Sequence, residues 1–314
     1  MSFFTNLFKK KPKVVKTDIT RRFNLIGRVG QGSMSRVWRA VDTMSGRTIA
    51  LKVLDLEKTK RYEARFPGLV KPTEGEVAVQ LKHPHIVNTY EHGVTTEGEQ
   101  FLAMEFVEGV GLSFLVDVQN ETMQKNRLQF IVELGRAIEY FHRAHWIHRD
   151  ICPRNVIIDR ETTSVKLIDF GLVVPNTPDF LQPGNRTGTA QYMAPELIKR
   201  RPTDQRIDIF SYAMTCYEMY TRRLPWDYTA DTLDAVVQHI NMPPKHVSQF
   251  APEIDAEVAE VIMQGLAAEP NDRWRTMTQM VGRLDEARSR LEPSPTPTRA
   301  RSRRAVEQKM KDEG

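Results

Sequence analysis

The segments HRDICPRNVII at residues 148–158 and VKLIDFG at residues 165–171 decide how this chain folds. Each contains a short apolar run that is typical of a buried strand, and each run adjoins an acidic loop. Two such runs can bring Asp150, Asn155 and Asp169 together at one mouth of the structure. Oxygen ligands of this kind suit Mg²⁺, which keeps most of its water and bridges phosphates. Taken singly, an Asp or Asn beside a strand is more often a turn former.

Further strands are predicted upstream of these segments. Residues 23–54 contain three strand-like runs, which are FNLIGRV, RVWRAVD and TIALKVL. The turn MSGR around Gly46 joins the second run to the third, so three antiparallel strands are expected. Residues 62–82 have a more helical pattern, although Pro67, Gly68 and Pro72 interrupt it. The run FLAMEFVEG then indicates another strand.

Long amphipathic stretches dominate after residue 112. Their apolar residues recur at i, i+3, i+4 and i+7, and the clearest are LQFIVELGRAIEYFHRA, IFSYAMTCYEMY and EVAEVIMQGLAAE. The predicted fold class is α+β, with a small β-rich N-terminal lobe and a larger, mainly helical C-terminal lobe. We expect a basic N-terminal extension over residues 1–22, the two lobes over residues 23–104 and 105–290, and a disordered basic tail over residues 291–314.

Composition places the chain among ordinary globular proteins. Of its 314 residues, 40% are hydrophobic and 27% are charged, which excludes collagen-like, disulfide-stapled and wholly disordered classes. Two cysteines, Cys152 and Cys216, cannot form a disulfide framework or a thiolate zinc site. They fit a reducing compartment, so a cytoplasmic location is expected. The most apolar long stretch, residues 207–220, holds two acids and is too short for a membrane span.

The positive net charge belongs to the two ends of the chain. The formal charge is +5 overall, but residues 23–292 carry a formal charge of −4. That mildly acidic middle offers no basic face, so no sequence-specific nucleic-acid partner is expected. The first residues, MSFFTNLFKKKPK, join aromatic side chains to a lysine run. This pattern fits either a weak peripheral membrane contact or a frayed terminus, and the terminus is favoured.

A glycine-containing loop, GQGSMSRV at residues 30–37, lies between the first two predicted strands. Gly30 and Gly32 would let backbone N–H groups approach phosphate oxygens without a Cβ clash. Taken alone, the loop fits a plain hairpin turn better. Lys52 follows at the centre of the apolar run ALKVL, where a buried ammonium needs a carboxylate or phosphate partner. The alternative is a lysine that points outward at a sheet edge.

These motifs, in this order, resemble the eukaryotic-type (Hanks-type) protein kinase family over about residues 23–290. The resemblance rests on GQGSMSRV, the ALKVL lysine, HRDICPRN, DFG, and GTAQYMAPE at residues 188–196. The stretches HPHIV, GTAQYMAPE and EPNDRW are most similar to bacterial serine/threonine protein kinases. The family implies a two-lobed protein kinase fold, with ATP and Mg²⁺ as cofactors.

The resemblance implies a role for each motif residue. Lys52 would contact the α- and β-phosphates and pair with Glu74, although Glu76 lies close enough in the sequence to compete. Asp150 would accept or orient the proton of the substrate hydroxyl. The residues that would hold Mg²⁺ are Asn155 and Asp169.

The resemblance also assigns the nucleotide pocket and two structural contacts. Met104 would be the gatekeeper beside the adenine. The other ATP contacts would come from the loop glycines, apolar side chains around the ring and backbone groups after the gatekeeper, namely Gly30, Gly32, Val37, Ala50, Ile157, Glu105 and Val107. Glu196 would pair with Arg273, and Asp208 would steady the HRD turn from a buried helix.

Two residues depart from the family pattern. Ser35 replaces the third glycine of the loop. Cys152 stands where serine/threonine kinases of the family usually have a lysine that contacts the transferred phosphate, and losing that charge would slow transfer roughly 10- to 100-fold. Arg154 stands four residues after Asp150, where some tyrosine kinases place an arginine that does the work of the lysine. We interpret Arg154 as a catalytic substitute; the alternative is a solvent-facing arginine.

The segment GTAQYMAPE resembles the shelf that holds a substrate peptide in protein kinases, and it predicts protein substrates. Thr189 on this shelf is typical of the serine/threonine type, whereas Arg154 is typical of tyrosine kinases, so serine/threonine specificity is favoured and tyrosine specificity stays open. Thr187, with Thr177 second, is the predicted phosphorylation site of a mobile activation loop, where Arg149 could pair with the phosphate. Both residues fit ordinary loop threonines equally well.

The favoured function is therefore an ATP-dependent serine/threonine protein kinase that transfers the γ-phosphate of Mg-ATP to protein hydroxyls, with autophosphorylation. The alternative is a nucleotide-binding pseudokinase scaffold, which Cys152 and Ser35 motivate. A phosphotransferase for a small molecule is disfavoured by the peptide shelf.

Overall fold

The computed structural model describes residues 16–31, 34–183, 187–227, 238 and 240–291. The N-terminal extension up to residue 15, Gly32 and the tail from residue 292 lie outside the described residues, as do the predictions made for them. The described chain has the α+β, two-lobed architecture of a protein kinase, with a β-rich N-terminal lobe and a mainly helical C-terminal lobe.

A six-stranded sheet forms the N-terminal lobe. Its strands are β1 (Lys16–Thr17), β2 (Phe23–Gln31), β3 (Ser35–Asp42), β4 (Thr48–Leu54), β5 (Thr89–Thr95) and β6 (Gln100–Glu105). The order across the sheet is β1-β5-β6-β4-β3-β2, and every neighbouring pair except β1 and β5 is antiparallel. The three antiparallel strands predicted for residues 23–54 are confirmed as β2 to β4, with Gly46 in the turn between the last two.

Three short helices accompany this sheet. They are α1 (Ile19–Arg22), α2 (Leu56–Glu63) and α3 (Glu74–Ala78). The helical pattern expected over residues 62–82 corresponds to the end of α2 and to α3, with ten non-helical residues, 64–73, between them. Pro67 and Pro72 lack the backbone N–H that a continuous helix would need. The side chain of Thr73 then starts α3 by accepting a hydrogen bond from the Glu76 amide.

Helices form most of the C-terminal lobe. They are α4 (Leu112–Val118), α5 (Glu121–Arg143), α6 (Pro195–Ile198), α7 (Arg206–Thr221), α8 (Ala256–Gly265) and α9 (Met277–Leu291). Helix α7 is buried along almost its whole length, as expected for a helix that is apolar on all sides. No helix within the described ranges is both long enough and apolar enough to cross a membrane.

In the described part of the chain, five short strands lie either at the boundary between the two lobes or in the loops that follow α5. They are β7 (Gly109–Gly111), β8 (Trp146–Ile147), β9 (Val156–Asp159), β10 (Val165–Leu167) and β11 (Val174–Pro175). Strands β9 and β10 are antiparallel, and Val156 at the start of β9 pairs with Leu167 at the end of β10. The chain that enters β9 and the chain that leaves β10 therefore lie at the same end of this pair.

The apolar core is continuous between the two lobes. One large cluster of buried side chains reaches from Leu54 and Leu102 in the N-terminal sheet, through Phe170, to Leu284 in α9. The opposite face of the sheet has a smaller cluster of its own, which includes Phe23 and Phe101. Because both faces of β4 are covered, a charged side chain on this strand must find a partner inside the protein.

Candidate active site

Lys52 on β4 is the charged residue that this strand buries. Its side chain is 6% exposed, and its Nζ lies 2.5 Å from Glu74 Oε1 and 2.8 Å from Asp169 Oδ1. Burial alone would lower the pKa of Lys52, but the two carboxylates outweigh it and raise the pKa above its usual value. The amine is therefore protonated, and it joins the N-terminal lobe to the loop that follows β10.

Glu74, and not Glu76, is the helix carboxylate that pairs with this lysine. Glu74 is 5% exposed, while Glu76 accepts hydrogen bonds at 2.7 Å from the backbone amide of Thr73 and at 3.0 Å from its hydroxyl. The capping interaction holds Glu76 at the start of the helix. It leaves the first residue of α3, Glu74, to face β4.

Asp150 accepts hydrogen bonds from two other predicted site residues. The side-chain amide of Asn155 donates to the Asp150 carbonyl at 2.8 Å and to Oδ2 at 2.9 Å. Thr189 donates to Oδ1 twice, from its backbone amide at 2.8 Å and from its hydroxyl at 2.9 Å. Each carboxylate oxygen of Asp150 thus has a donor of its own, which fixes the direction of the carboxylate.

A buried aspartate on α7 holds the HRD turn in place. Asp208 has no exposed surface, and it accepts hydrogen bonds at 2.8 Å from the backbone amides of both His148 and Arg149. Its Oδ2 also lies 2.9 Å from His142 Nε2. Burial alone would raise the pKa of Asp208, but these donors lower it, so the carboxylate is ionised and the turn is anchored to the core.

Asp169 faces the cleft from the other side of the site. Its side chain is 40% exposed although it bonds to Lys52, while the neighbouring Phe170 is 1% exposed. The Phe170 ring packs against His148 and Phe141, with ring centroids 6.1 Å and 5.5 Å apart. Because Phe170 is locked into the core, the carboxylate of Asp169 is directed into the cleft.

The donor set in this cleft fits a phosphate-bound magnesium ion. No cluster of three or more His, Cys, Asp or Glu side chains with metal-binding geometry occurs in the described part of the chain. Asp169 and Asn155 each offer an oxygen ligand, and phosphate and water oxygens would complete the coordination shell of an ion held by them. Mg²⁺ is the ion that prefers such an arrangement.

The predicted nucleotide pocket adjoins these residues. Ala50 on β4 pairs with Met104 on β6, and Val37 on β3 pairs with Lys52, so these side chains lie on adjacent strands. The backbone amide of Glu105 donates to the Asn88 carbonyl at 2.8 Å, which restricts its predicted adenine contact to the carbonyl. The other predicted contacts lie in β2, β9 and the chain after β6, at Gly30, Ile157 and Val107.

The structure brings Arg154 to Thr189. Arg154 Nη2 donates to Thr189 Oγ1 at 3.1 Å, and the same hydroxyl donates to Asp150. Cys152, at the position of the usual lysine, is 1% exposed, and burial raises the pKa of its thiol to about 11. The thiol is therefore neutral, whereas the guanidinium two residues later contacts Thr189, a hydrogen-bond partner of Asp150.

The two predicted phosphorylation sites differ in exposure. Thr177 is exposed and precedes the 3-10 helix Pro178–Leu181. Thr187 is 5% exposed, and Arg149 is 7% exposed. Phosphorylation of Thr187 would therefore need this segment to move first, while Thr177 is accessible as it stands. Ser35, at the start of β3, is also buried.

Tyr62 and Lys71 are residues of the cleft wall that the sequence analysis missed. Tyr62 and Lys71 line the same cavity as Lys52, Asp150 and Asp169. A usable signal was present, because Tyr62, at the end of α2, and Phe66, three residues after that helix, are aromatic residues spaced i, i+4, and both are buried. The interruptions at Pro67, Gly68 and Pro72 obscured the limits of the helical pattern.

The predicted pair of Glu196 and Arg273 lies in the C-terminal lobe. Arg273 Nη1 and Nη2 each lie 2.7 Å from one oxygen of Glu196, and the two side chains are 0% and 4% exposed. This bidentate ion pair connects the shelf segment to the loop before α9, so its role is structural.

Comparison with known proteins gives a family and named relatives. A family model described as the protein kinase domain matches residues 23–283. A probable serine/threonine-protein kinase of Streptomyces coelicolor is 33% identical over 268 residues, which cover 82% of this chain and 39% of the relative. The serine/threonine-protein kinase PknB of Mycobacterium tuberculosis is 31% identical over 273 residues, which cover 84% of this chain and 42% of PknB.

A third relative, a probable serine/threonine-protein kinase PknB of Corynebacterium glutamicum, is 31% identical over 306 residues, which cover 91% of this chain and 46% of the relative. The chain thus spans less than half the length of these three relatives.

Proposed function

The chain belongs to the protein kinase domain family, and on this premise we propose that it is a serine/threonine protein kinase. It transfers the γ-phosphate of Mg-ATP to hydroxyl groups of protein substrates. The names of the relatives support the serine/threonine class, and the shelf segment with Thr189 supports a protein substrate.

One observation carries this proposal. Lys52 bridges Glu74 and Asp169, and Asp150 is held by Asn155 and Thr189 on the other wall of the same cleft. A protonated amine, an exposed carboxylate and an oriented carboxylate are the groups that phosphoryl transfer needs, since this reaction depends on positioning and charge stabilisation.

Each residue has a defined task in the transfer. Lys52 binds and orients phosphate oxygens, and Glu74 keeps the amine in place. Asp169 and Asn155 would hold Mg²⁺, which when bound supplies positive charge to the phosphate oxygens. Asp150 faces the substrate hydroxyl and takes up its proton as the oxygen attacks.

Arg154 supplies the charge that the family usually takes from a lysine at the position of Cys152. Its guanidinium is charged at every physiological pH, and its bond to Thr189 holds it next to the Asp150 carboxylate. The transferred phosphoryl group would thus meet an arginine instead of a lysine.

We also propose that the chain phosphorylates itself and that it is located in the cytoplasm. Thr177 is the accessible acceptor, and Thr187 becomes an acceptor when the activation segment opens, with Arg149 of the HRD turn as the partner of its phosphate. Both cysteines are free and buried, which supports a reducing compartment, the cytoplasm.

The test is a single incubation with γ-labelled ATP and casein as a generic protein acceptor. The wild-type chain should label casein, and Asp150→Asn should lower the rate by roughly 10²- to 10⁴-fold, because the general base is lost. Asp117→Asn, an exposed aspartate on α4, is the matched control and should retain full activity.

Cys152 also supports a second candidate, the nucleotide-binding scaffold. A wild-type chain that binds Mg-ATP in a calorimeter but labels neither itself nor casein would favour the scaffold. Full activity of Asp150→Asn would contradict the role assigned to Asp150.

A further inference from the structure

Tyr62 connects the two chain segments that carry the partners of Lys52. Its hydroxyl donates to the carbonyl oxygen of Leu172 at 3.1 Å, and the ammonium of Lys71 lies 5.2 Å from the centroid of its ring. Leu172 follows Asp169 by three residues, and Lys71 precedes Glu74 by three residues. Tyr62 thus links the same two segments that Lys52 links through the two carboxylates, three residues further along the chain in one segment and three residues earlier in the other.

Aromatic packing extends this connection along the activation segment. The rings of Tyr62 and Phe66 meet edge to face, with centroids 5.6 Å apart. Phe66 in turn packs against Phe180, with centroids 5.5 Å apart. Phe180 belongs to the 3-10 helix Pro178–Leu181. Tyr62 at the end of α2 and Phe66, three residues after that helix, therefore contact the activation segment at two points, one next to the DFG motif and one eight residues further along.

Helix α3 needs contacts of this kind because it is short. It has five residues, and an isolated helix of that length is unstable in water. Its position, and with it the position of Glu74, must come from tertiary contacts. The segment after Asp169 likewise has little secondary structure of its own, since its first strand, β11, contains two residues.

The hydroxyl of Tyr62 is suited to a permanent contact. The residue is 6% exposed, and burial raises the pKa of its hydroxyl, so the group keeps its proton and remains a donor. A hydrogen bond to a backbone carbonyl does not depend on the side chain of the partner. The contact therefore fixes the path of the chain at Leu172.

We propose that Tyr62 is a positioning residue of the active site, which holds α3 against the start of the activation segment so that Glu74 and Asp169 stay on Lys52. This inference rests on the proposed kinase function for its catalytic consequence. The other part of the inference, that Tyr62 couples α3 to the DFG segment, rests on the contacts alone.

The test compares Tyr62→Phe with the wild-type chain. The substitution keeps the ring, and with it the packing on Phe66 and Lys71, and removes the donor to Leu172. The matched control is Tyr90→Phe, because Tyr90 lies on the exposed face of β5. Two quantities are measured, which are amide hydrogen exchange of the nucleotide-free chain and the steady-state kcat and KM for ATP and casein.

The expected result is local. Exchange should become about 3- to 10-fold faster at the amides of Phe170, Gly171 and Val173 and in α3, as expected for the loss of one hydrogen bond. It should not change in α9. The value of kcat should fall by a similar factor, about 3- to 10-fold, with little change in KM for casein. Tyr90→Phe should leave both quantities unchanged.

Three outcomes would overturn the inference. They are unchanged exchange in both segments, faster exchange that includes α9 and thus reports general destabilisation, and faster local exchange with an unchanged kcat. A wild-type chain with no transferase activity would refute the proposed function instead. The exchange data would still decide whether Tyr62 couples α3 to the DFG segment, because they require neither nucleotide nor turnover.

Discussion

The guanidinium of Arg154 and the hydroxyl of Thr189 lie 3.1 Å apart, although the two residues are separated by 35 positions in the chain. Since the hydroxyl also donates to Asp150 Oδ1 at 2.9 Å, Arg154, Thr189 and Asp150, the proposed general base, form one hydrogen-bonded chain. A cation at the position of Cys152 is therefore unnecessary if Arg154 contacts the transferred phosphate.

We predict that Arg154→Ala lowers kcat for casein phosphorylation by roughly 10- to 100-fold, because one charge-assisted hydrogen bond is lost in the transition state. Arg160→Ala, which removes an exposed arginine next to β9, is the control and should behave as wild type. Arg154→Lys should recover part of the rate, since it keeps the charge but not the planar fork. Equal rates in the wild type and Arg154→Ala would refute this role.

A second prediction concerns the reactivity of Cys152. Burial raises the pKa of its thiol to about 11, so its thiolate fraction at pH 8 is roughly 100-fold smaller than that of an ordinary cysteine. In a Cys216→Ala background, iodoacetamide should label the native chain at least about 100-fold more slowly than the chain unfolded in guanidinium. Labelling at similar rates in the two states would show that the site is open and polar.

The third prediction concerns the close approach of α3 to β5. A Cβ atom added at Gly75 would lie 2.5 Å from His92 Cβ, so Gly75→Ala must move the helix away from the sheet. We expect a loss of about 1–3 kcal/mol in the free energy of unfolding, measured by urea denaturation, and a lower kcat because Glu74 moves with α3.

The control for this substitution is Gly282→Ala, because nothing lies within 4 Å of a Cβ at that position of α9. Gly282→Ala should raise the free energy of unfolding by about 0.5–1 kcal/mol, because glycine in a helix loses more backbone conformational entropy on folding than alanine does. Adding His92→Gly to Gly75→Ala removes the Cβ atom that causes the clash and should restore activity. If the double variant is as impaired as Gly75→Ala, the clash is not the cause.

The fourth prediction is a pH dependence of stability. Burial lowers the pKa of His83 to about 4, with the neighbouring His85 as a second cause. Below pH 6.5 the unfolded chain takes up a proton at this residue, while the folded chain stays neutral until about pH 4. The contribution of His83 to stability is therefore present above pH 6.5 and is lost as the pH falls toward 4.

After allowance for partial solvent screening, we expect this loss to be roughly 1–2 kcal/mol. It is measured as the difference between the pH profiles of the wild type and His83→Gln, which cannot be protonated in this range. An NMR titration should place the His83 midpoint near pH 4. A midpoint near 6.5, with parallel stability profiles, would contradict the assignment.

Much of the fold follows from local patterns in the sequence. The alternation of residues 23–54 predicts β2, β3 and β4, and the 3.6-residue spacing after residue 112 predicts long helices, because these patterns depend only on which neighbouring residues are apolar. The helix expected over residues 62–82 is divided into α2 and α3, since Thr73 starts a new helix after two prolines. The strand β1 is absent from the prediction because two residues carry no readable pattern.

The sequence predicts the residues of the candidate site but not the contacts between them. The order of the motifs named Lys52, Asp150 and Asp169, since each stands at a fixed place in a recognisable local stretch. The choice of Glu74 over Glu76 depended on a capping interaction with Thr73. The hydrogen bond from Tyr62 to Leu172 could not be read from the sequence, where its only sign is the i, i+4 spacing of Tyr62 and Phe66.

The sequence by itself therefore determined the α+β class, the order of the motifs and the chemical groups available for catalysis. Only the tertiary structure decided which groups meet, such as Arg154 with Thr189 and Tyr62 with Leu172. The physical reason is that secondary structure reflects interactions between residues a few positions apart. Contacts across 35 or 110 positions are set by the packing of whole elements around a shared core, which a local pattern does not encode.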